Sequence, residues 1–315
     1  MTIGICAHGP NAGLAIFEAL RIAEKISRGA IGGFVSYAVL SADGRLIRHE
    51  TQRGGSRTLF ICGESTGLNP PEDVASATSA ALISSGPDRP SPLSQFLAAD
   101  VKGGLVTGHR LPNGMSVDGE PLNLEVLDRL IIGQSAQEAV DGVIERNPEA
   151  DVGLIAVDRS GEVWSRNSER VRRRPDLGHA RRVAESTGAV VEVLHNAIYP
   201  CSDLAPLVAS VALETMVGVA RPTGWVAINA GIPVVLGAEN AIYCGRTMVA
   251  EKIVTTDPTI IAGHHICTAI YLHSTVYIEN CPVGRSTFEP LVTVIDGKCT
   301  VMSGQTTIQM GYTAI

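Results

Sequence analysis

The chain is poor in lysine, in aromatic residues and in charge. Lysine occurs only as Lys25, Lys102, Lys252 and Lys298, and the other members of its 25 basic residues are arginines. Aromatics make up 4% of the sequence, so a core must rest on Ala, Val, Ile and Leu. Charged residues reach 18%, below the usual quarter, which fits a compact protein that buries surface in a homo-oligomer. The seven cysteines are scattered and odd in number, without a Cys-x-x-Cys pair. That opposes both a zinc ribbon and a complete disulfide framework. No apolar run approaches the ~20 residues that span a bilayer. No basic leader precedes Ile3, so a cytoplasmic protein is expected. The one dense basic run, 166–182, is interrupted by acids, and the net charge is −7. Nucleic acid is therefore not an expected partner.

At 315 residues the chain is long enough to bury a core without staples. Its most informative stretch is 151–168. Residues 153–157 read as a buried strand, 158–161 as a tight turn and 162–166 as a returning strand. A helical run at 135–146 precedes it and an arginine cluster at 169–176 follows. A similar order, helix at 14–25, strand at 32–40, turn at 41–44 and return at 45–48, occurs near the start. Chance repetition in a protein of helices and sheets explains the two copies as well as an internal repeat does.

Further helices are expected at 71–82, 122–130, 176–186 and 204–219, with a strand at 189–194. From 224 onward strands dominate, at 225–229, 233–236, 267–272, 275–278 and 291–295, the last followed by an Asp296-Gly297 hairpin turn. The Pro/Ser-rich segment 84–92 reads as an exposed loop. No linker divides the chain, so one domain over 1–315 is expected.

The opening Ile3-Gly4-Ile5-Cys6-Ala7-His8-Gly9 and the ordered parts at 135–168 resemble plant-type asparaginases and isoaspartyl peptidases. These are N-terminal-nucleophile hydrolases. The resemblance implies an α+β fold, an αββα sandwich, and an amide-bond hydrolase acting on a small carboxylate-bearing metabolite without a cofactor. It also implies that the position of the family's nucleophilic threonine is taken by Asp151, which has neither a hydroxyl nor a free amine to attack with. Asn167, Ser168 and Glu169 stand where the family has its supporting hydroxyl residues. Arg170, Arg174 and Asp176 lie where the family holds the substrate's carboxylate and amine. A guanidinium for a carboxylate and an acid for an ammonium make a sensible pair. A solvated charge cluster at a helix entry accounts for the same residues.

Asp151 or Glu169 would then serve as base for an attacking water. Thr2 offers a hydroxyl nucleophile if Met1 is removed. Cys6 and His8 share one strand face and offer a thiolate pair, or a buried filler beside a hydrogen-bonded histidine. A catalytically inactive relative that binds a small molecule or a partner fits the loss of threonine equally. A cyclic-amide hydrolase built on Ser-Lys pairs is opposed by the shortage of lysine. His264, His265, Cys267, His273 and Cys281 are spread too far along the chain for a convergent metal site, and none is expected. His195-Asn196 closes a strand, where ligand groups gather.

Overall fold

The computed structural model describes residues 1–27, 30–218 and 222–315. They gather into two compact units, Met1–Val217 and Gly218–Ile315.

The first unit runs β1 (Thr2–His8), α1 (Ala12–Ile26), β2 (Phe34–Leu40), β3 (Leu46–Gln52), α2 (Ser56–Leu59), α3 (Glu72–Ala75), β4 (Ser79–Ser85), β5 (Ala98–Asp100) and β6 (Gly104–Arg110). It continues with α4 (Leu122–Ile131), α5 (Ala136–Arg146), β7 (Val152–Asp158), β8 (Val163–Asn167), α6 (Glu169–Arg172), β9 (Leu177–Ala184), β10 (Ala189–Asn196) and α7 (Cys201–Val217). Six strands form one antiparallel sheet in the order β3-β2-β4-β1-β10-β9, and β5-β6-β7-β8 form a second.

The period-two alternation of strands explains the layering. Ile3, Ile5 and Ala7 of β1 pack with Ile16, Phe17 and Leu20 of α1 and with Val208 and Ala212 of α7. Cys6, on the opposite face, joins Leu105, Ile155 and Val163 between the sheets. The outer face of the second sheet, through Val106, Leu154 and Ala156, meets Val126 of α4 and Val140 of α5. A Cβ at Gly4 would overlap the Gly108 carbonyl, so glycine lets β1 lie directly against β6. Ser135 and Glu138 close a capping box at the start of α5.

The second unit contains β11 (Gly224–Asn229), β12 (Ile232–Leu236), β13 (Ala241–Cys244), β14 (Ala250–Thr255), β15 (His264–Thr268), β16 (Thr275–Ile278), β17 (Cys281–Ser286), β18 (Leu291–Ile295), β19 (Lys298–Met302) and β20 (Thr307–Ala314). They make one sheet in the order β11-β20-β17-β16-β13-β14-β12-β19-β18-β15. Val226, Ile242, Ile253, Val276, Val294 and Met310 lie at its core. Lys252, Tyr243, Tyr277 and Pro282 stand side by side across four strands. The two rings stack at 4.6 Å, and the lysine ammonium sits 4.3 Å from the Tyr243 centroid. Asp296 and Gly297 both have positive φ, the demand of a two-residue hairpin turn.

The expected αββα sandwich of the α+β class is overturned. Strands hold 41% of residues against 23% in helices, and the sheets are large and curled, one of them with ten strands. Two expected helices are also replaced by strands. Of 71–82, only α3 is helical; β4 begins at Ser79, with Ala80 and Leu82 buried toward the helices and Ala81 and Ile83 toward the second sheet. Residues 177–184 form the edge strand β9. Ser84 and Ser85 belong to β4 and are fully buried, so the loop of 84–92 starts after them. Strand β15 ends at Thr268, short of the expected 272. The expected end of the long helix at 219 lies outside the described residues.

Candidate functional site

Sheet pairing brings remote residues to one end of the first unit. Thr2 pairs with Ser85 on β4 and with Asn196 on β10, so these three side chains form a row on one sheet. On the facing sheet His109, Gly153 and Asn167 form a second row. The rows meet through His109, whose Nε2 lies 2.7 Å from Asn167 Oδ1 and whose Nδ1 lies 3.3 Å from Asn196 Oδ1. A Cβ at Gly153 would overlap both the His109 ring and the Asn167 amide, so glycine is what allows that hydrogen bond to cross β7.

His109 is fully buried, and desolvation lowers its pKa to about 4. The neutral ring carries one proton and donates it to only one of the two amide oxygens. The shorter contact makes Nε2–H the donor to Asn167, leaving Nδ1 as an acceptor. Asn196 Nδ2 and Ser85 Oγ are buried without a hydrogen-bond partner. Turning the Asn196 amide over would give Nδ2 to His109 and strand its oxygen instead. In either orientation Asn196 keeps an unused polar atom inside the protein.

The backbone turns sharply just beyond each row. Arg110, after His109, has φ 68°, and Ala197, after Asn196, has φ 53°. Left-handed backbone costs a residue with a side chain about 1–2 kcal/mol, and such strain clusters at functional sites. The turn at Arg110 brings its Nε and Nη2 to Asp151 at 2.7 and 2.5 Å. Arg174 grips Asp176 in the same two-point way, at 2.9 and 2.6 Å. Each guanidinium holds the carboxylate it grips below the usual pKa range, that hydrogen bond being the largest cause. The third guanidinium nitrogen of each arginine is left for another acceptor. A cavity of about 340 Å³ opens beside Asn167, lined also by Trp164, Ser165, Arg166, His179 and Leu194.

The residues expected from the sequence separate here by role. Thr2 and Asn167 lie on the rows, and Asp151, Arg174 and Asp176 form the ion pairs beside them. Ser168 is fully buried and structural: its hydroxyl donates to the Ala150 carbonyl at 2.6 Å and accepts the Val171 N–H at the start of α6. Arg170 is exposed on α6, close enough for its charge to favour ionised Asp151. Glu169 is exposed and paired with Arg172 at 2.7 Å, away from the rows. Asp151, held by Arg110, is a weak base. Cys6 is fully buried, and burial pushes its thiol pKa well up, opposite to what a thiolate nucleophile needs. The described residues contain no group of three or more His, Cys, Asp or Glu placed to hold a metal ion. His109, Arg110 and Ser85 were missed. The signal for His109 and Arg110 is local: Leu105, Thr107 and His109 alternate as one face of β6.

Residues 2–225 match the family described as Domain of unknown function (DUF6963). The chain belongs to that family. Residues 231–307 match a second description, Domain of unknown function (DUF7259). No curated protein matches the chain. The DUF6963 match contains both rows and both ion pairs. No helix among the described residues is long and apolar enough to cross a membrane.

Proposed function

We propose that the first unit binds a small carboxylate-bearing compound with an amide group at the end of its two sheets. The buried, unpartnered Ser85 hydroxyl and Asn196 amide carry this reading. Buried polar groups are almost always paired, and each one left open costs about 1–3 kcal/mol. A ligand amide, which both donates and accepts, offsets that cost. The outer nitrogens of Arg110 and Arg174 take the ligand's carboxylate. Succinamate serves as the probe in titration calorimetry. We expect millimolar binding or tighter, weakened at least about 10-fold, or roughly 1.4 kcal/mol, in Asn196→Ala. Absence of binding by the folded protein, or equal binding by the variant, overturns the reading.

A second reading, hydrolysis of that amide, is supported by the place of Thr2 between Ser85 and Asn196. The Thr2 hydroxyl would attack the amide carbon and give its proton to the departing nitrogen as the C–N bond breaks, and water would then hydrolyse the threonine ester. Ammonia release from succinamate that stops in Thr2→Ala supports it; binding without release leaves the protein a binder. The same reading places the protein in the cytoplasm as a homo-oligomer acting on a small molecule rather than on nucleic acid or membrane. The net charge of −7 opposes nucleic acid as a partner, and exposed side chains such as Trp225 and Leu236 support self-association.

A further inference from the structure

His8 lies at the end of β1 opposite Thr2, and its partner is not Cys6. Its Nδ1 is 2.9 Å from Oγ of Ser79, the residue paired with it across β1 and β4. Ser79 is buried and His8 half-buried. The imidazole is seated on the 158–161 turn, where a Cβ at Gly161 would overlap three ring atoms. Asp158, in the same turn, is buried and fixed by the backbone N–H groups of Ala136, Ser160 and Glu162. Burial lowers the His8 pKa, and the Asp158 charge opposes that effect. A cavity of about 190 Å³ opens onto both Ser79 and His8, lined also by Leu40, Thr78, Val101 and Arg159.

A hydroxyl bonded to an imidazole that burial favours as neutral, with a cavity open to both and the Asp158 charge nearby, is the arrangement of an activated nucleophile. We propose that Ser79 and His8 form a second reactive site, separate from the two rows, that takes short acyl groups from esters. Ser79 Oγ bonds to the acyl carbon while His8 Nδ1 accepts the hydroxyl proton. The carbon–oxygen bond of the ester breaks, and His8 returns the proton to the departing alkoxide. Water then hydrolyses the serine ester by the same proton route, releasing the acid. The cavity admits only a small acyl group. Arg159 at its wall favours an anionic portion on the substrate.

The test is covalent labelling of the full chain with an alkyl fluorophosphonate, followed by intact mass measurement and peptide mapping. We expect one adduct, on Ser79. It should be absent in Ser79→Ala and formed at least about 100-fold more slowly in His8→Gln. Circular dichroism establishes that each variant is folded. An unlabelled folded wild type, an adduct elsewhere that persists in Ser79→Ala, or a wild-type rate in folded His8→Gln overturns the proposal.

Discussion

The two units treat buried polarity in opposite ways. In the second, Thr255 accepts from the Asp257 N–H, Ser274 and Ser286 both donate to the Tyr271 carbonyl, and Thr275 donates to Glu239. Among the described residues, the unpartnered buried side-chain atoms of Ser85, Asn123, Glu125, Gln134 and Asn196 all belong to the first unit. Two of these five, with a buried neutral histidine, share one end of its sheets. Among the described residues, these buried hydroxyls of the second unit have partners, whereas the first unit holds buried polar atoms that have none. The binding proposed for the first unit rests on that difference.

The largest expected effect comes from the close approach of the two sheets. Gly4→Val places a branched side chain on the Gly108 carbonyl, so the sheets must part and the packing of Cys6, Leu105 and Ile155 opens with them. We expect a loss of about 3 kcal/mol or more from the first unit. Gly231→Ala in the second unit has positive φ but open space around it, and should cost only about 1–2 kcal/mol. The chain has two tryptophans, Trp164 in the first unit and Trp225 in the second. Urea unfolding followed in Trp225→Phe and Trp164→Phe backgrounds reads each unit by its own signal. Equal losses from the two glycine substitutions would remove the sheet contact as a special feature.

Acid should also separate the units. His109 has a folded pKa of about 4 against an ordinary value of 6.5. The unfolded chain therefore takes up a proton at this position before the folded one does. The stabilisation is fully present above pH 6.5, is lost as pH falls from 6.5 to about 4, and changes no further below that. Its size is of the order of 3 kcal/mol. His8, also lowered by burial, acts in the same direction. Asp151 and Asp176 lose their contribution only below the ordinary carboxylate pKa of 3.8, so their window is distinct. Urea titrations of the Trp164 signal at pH 7 and pH 4.5 should show most of the slope, and His109→Gln should flatten it. A slope unchanged in that variant would refute the assignment to His109.

What the sequence revealed depended on how local each feature is. The hairpin of β7 and β8 was legible because an apolar run ends in Asp158 to Gly161, a turn encoded by its own residues. The 79–85 and 177–184 strands were not. Alanine favours helix in β4, and arginine spacing imitates a helix face in β9, but sheet pairing on both sides of β4 and against β10 overrides these preferences. The site divides in the same way. Asp151, Asn167, Arg174 and Asp176 lie near one another in the chain and were found together. His109 and Ser85 arrive from distant strands, and nothing near them in sequence marks them as neighbours of Thr2. Asn196 was noticed only as a strand end.

The smallest expected effect bears most directly on the difference between the units. Ser286 in the second unit donates its hydroxyl to the Tyr271 carbonyl at 2.8 Å and accepts the Ser274 N–H at 3.0 Å. Ser286→Ala removes both of these hydrogen bonds, although the Tyr271 carbonyl keeps the Ser274 hydroxyl and the Ser274 N–H keeps that carbonyl, and should destabilise by about 1 kcal/mol. Ser85→Ala removes a hydroxyl that has no partner, so it sheds a desolvation cost without breaking a bond. Stability should stay within about 0.5 kcal/mol of wild type or rise slightly, while succinamate binding weakens. The two serines are alike in residue type and in deep burial. Opposite responses would therefore isolate whether the hydroxyl serves the fold or a ligand. Destabilisation at both positions would mean that Ser85 already has a partner in the native protein. The first unit would then have one fewer group waiting for a ligand, and the binding reading would rest on Asn196 alone.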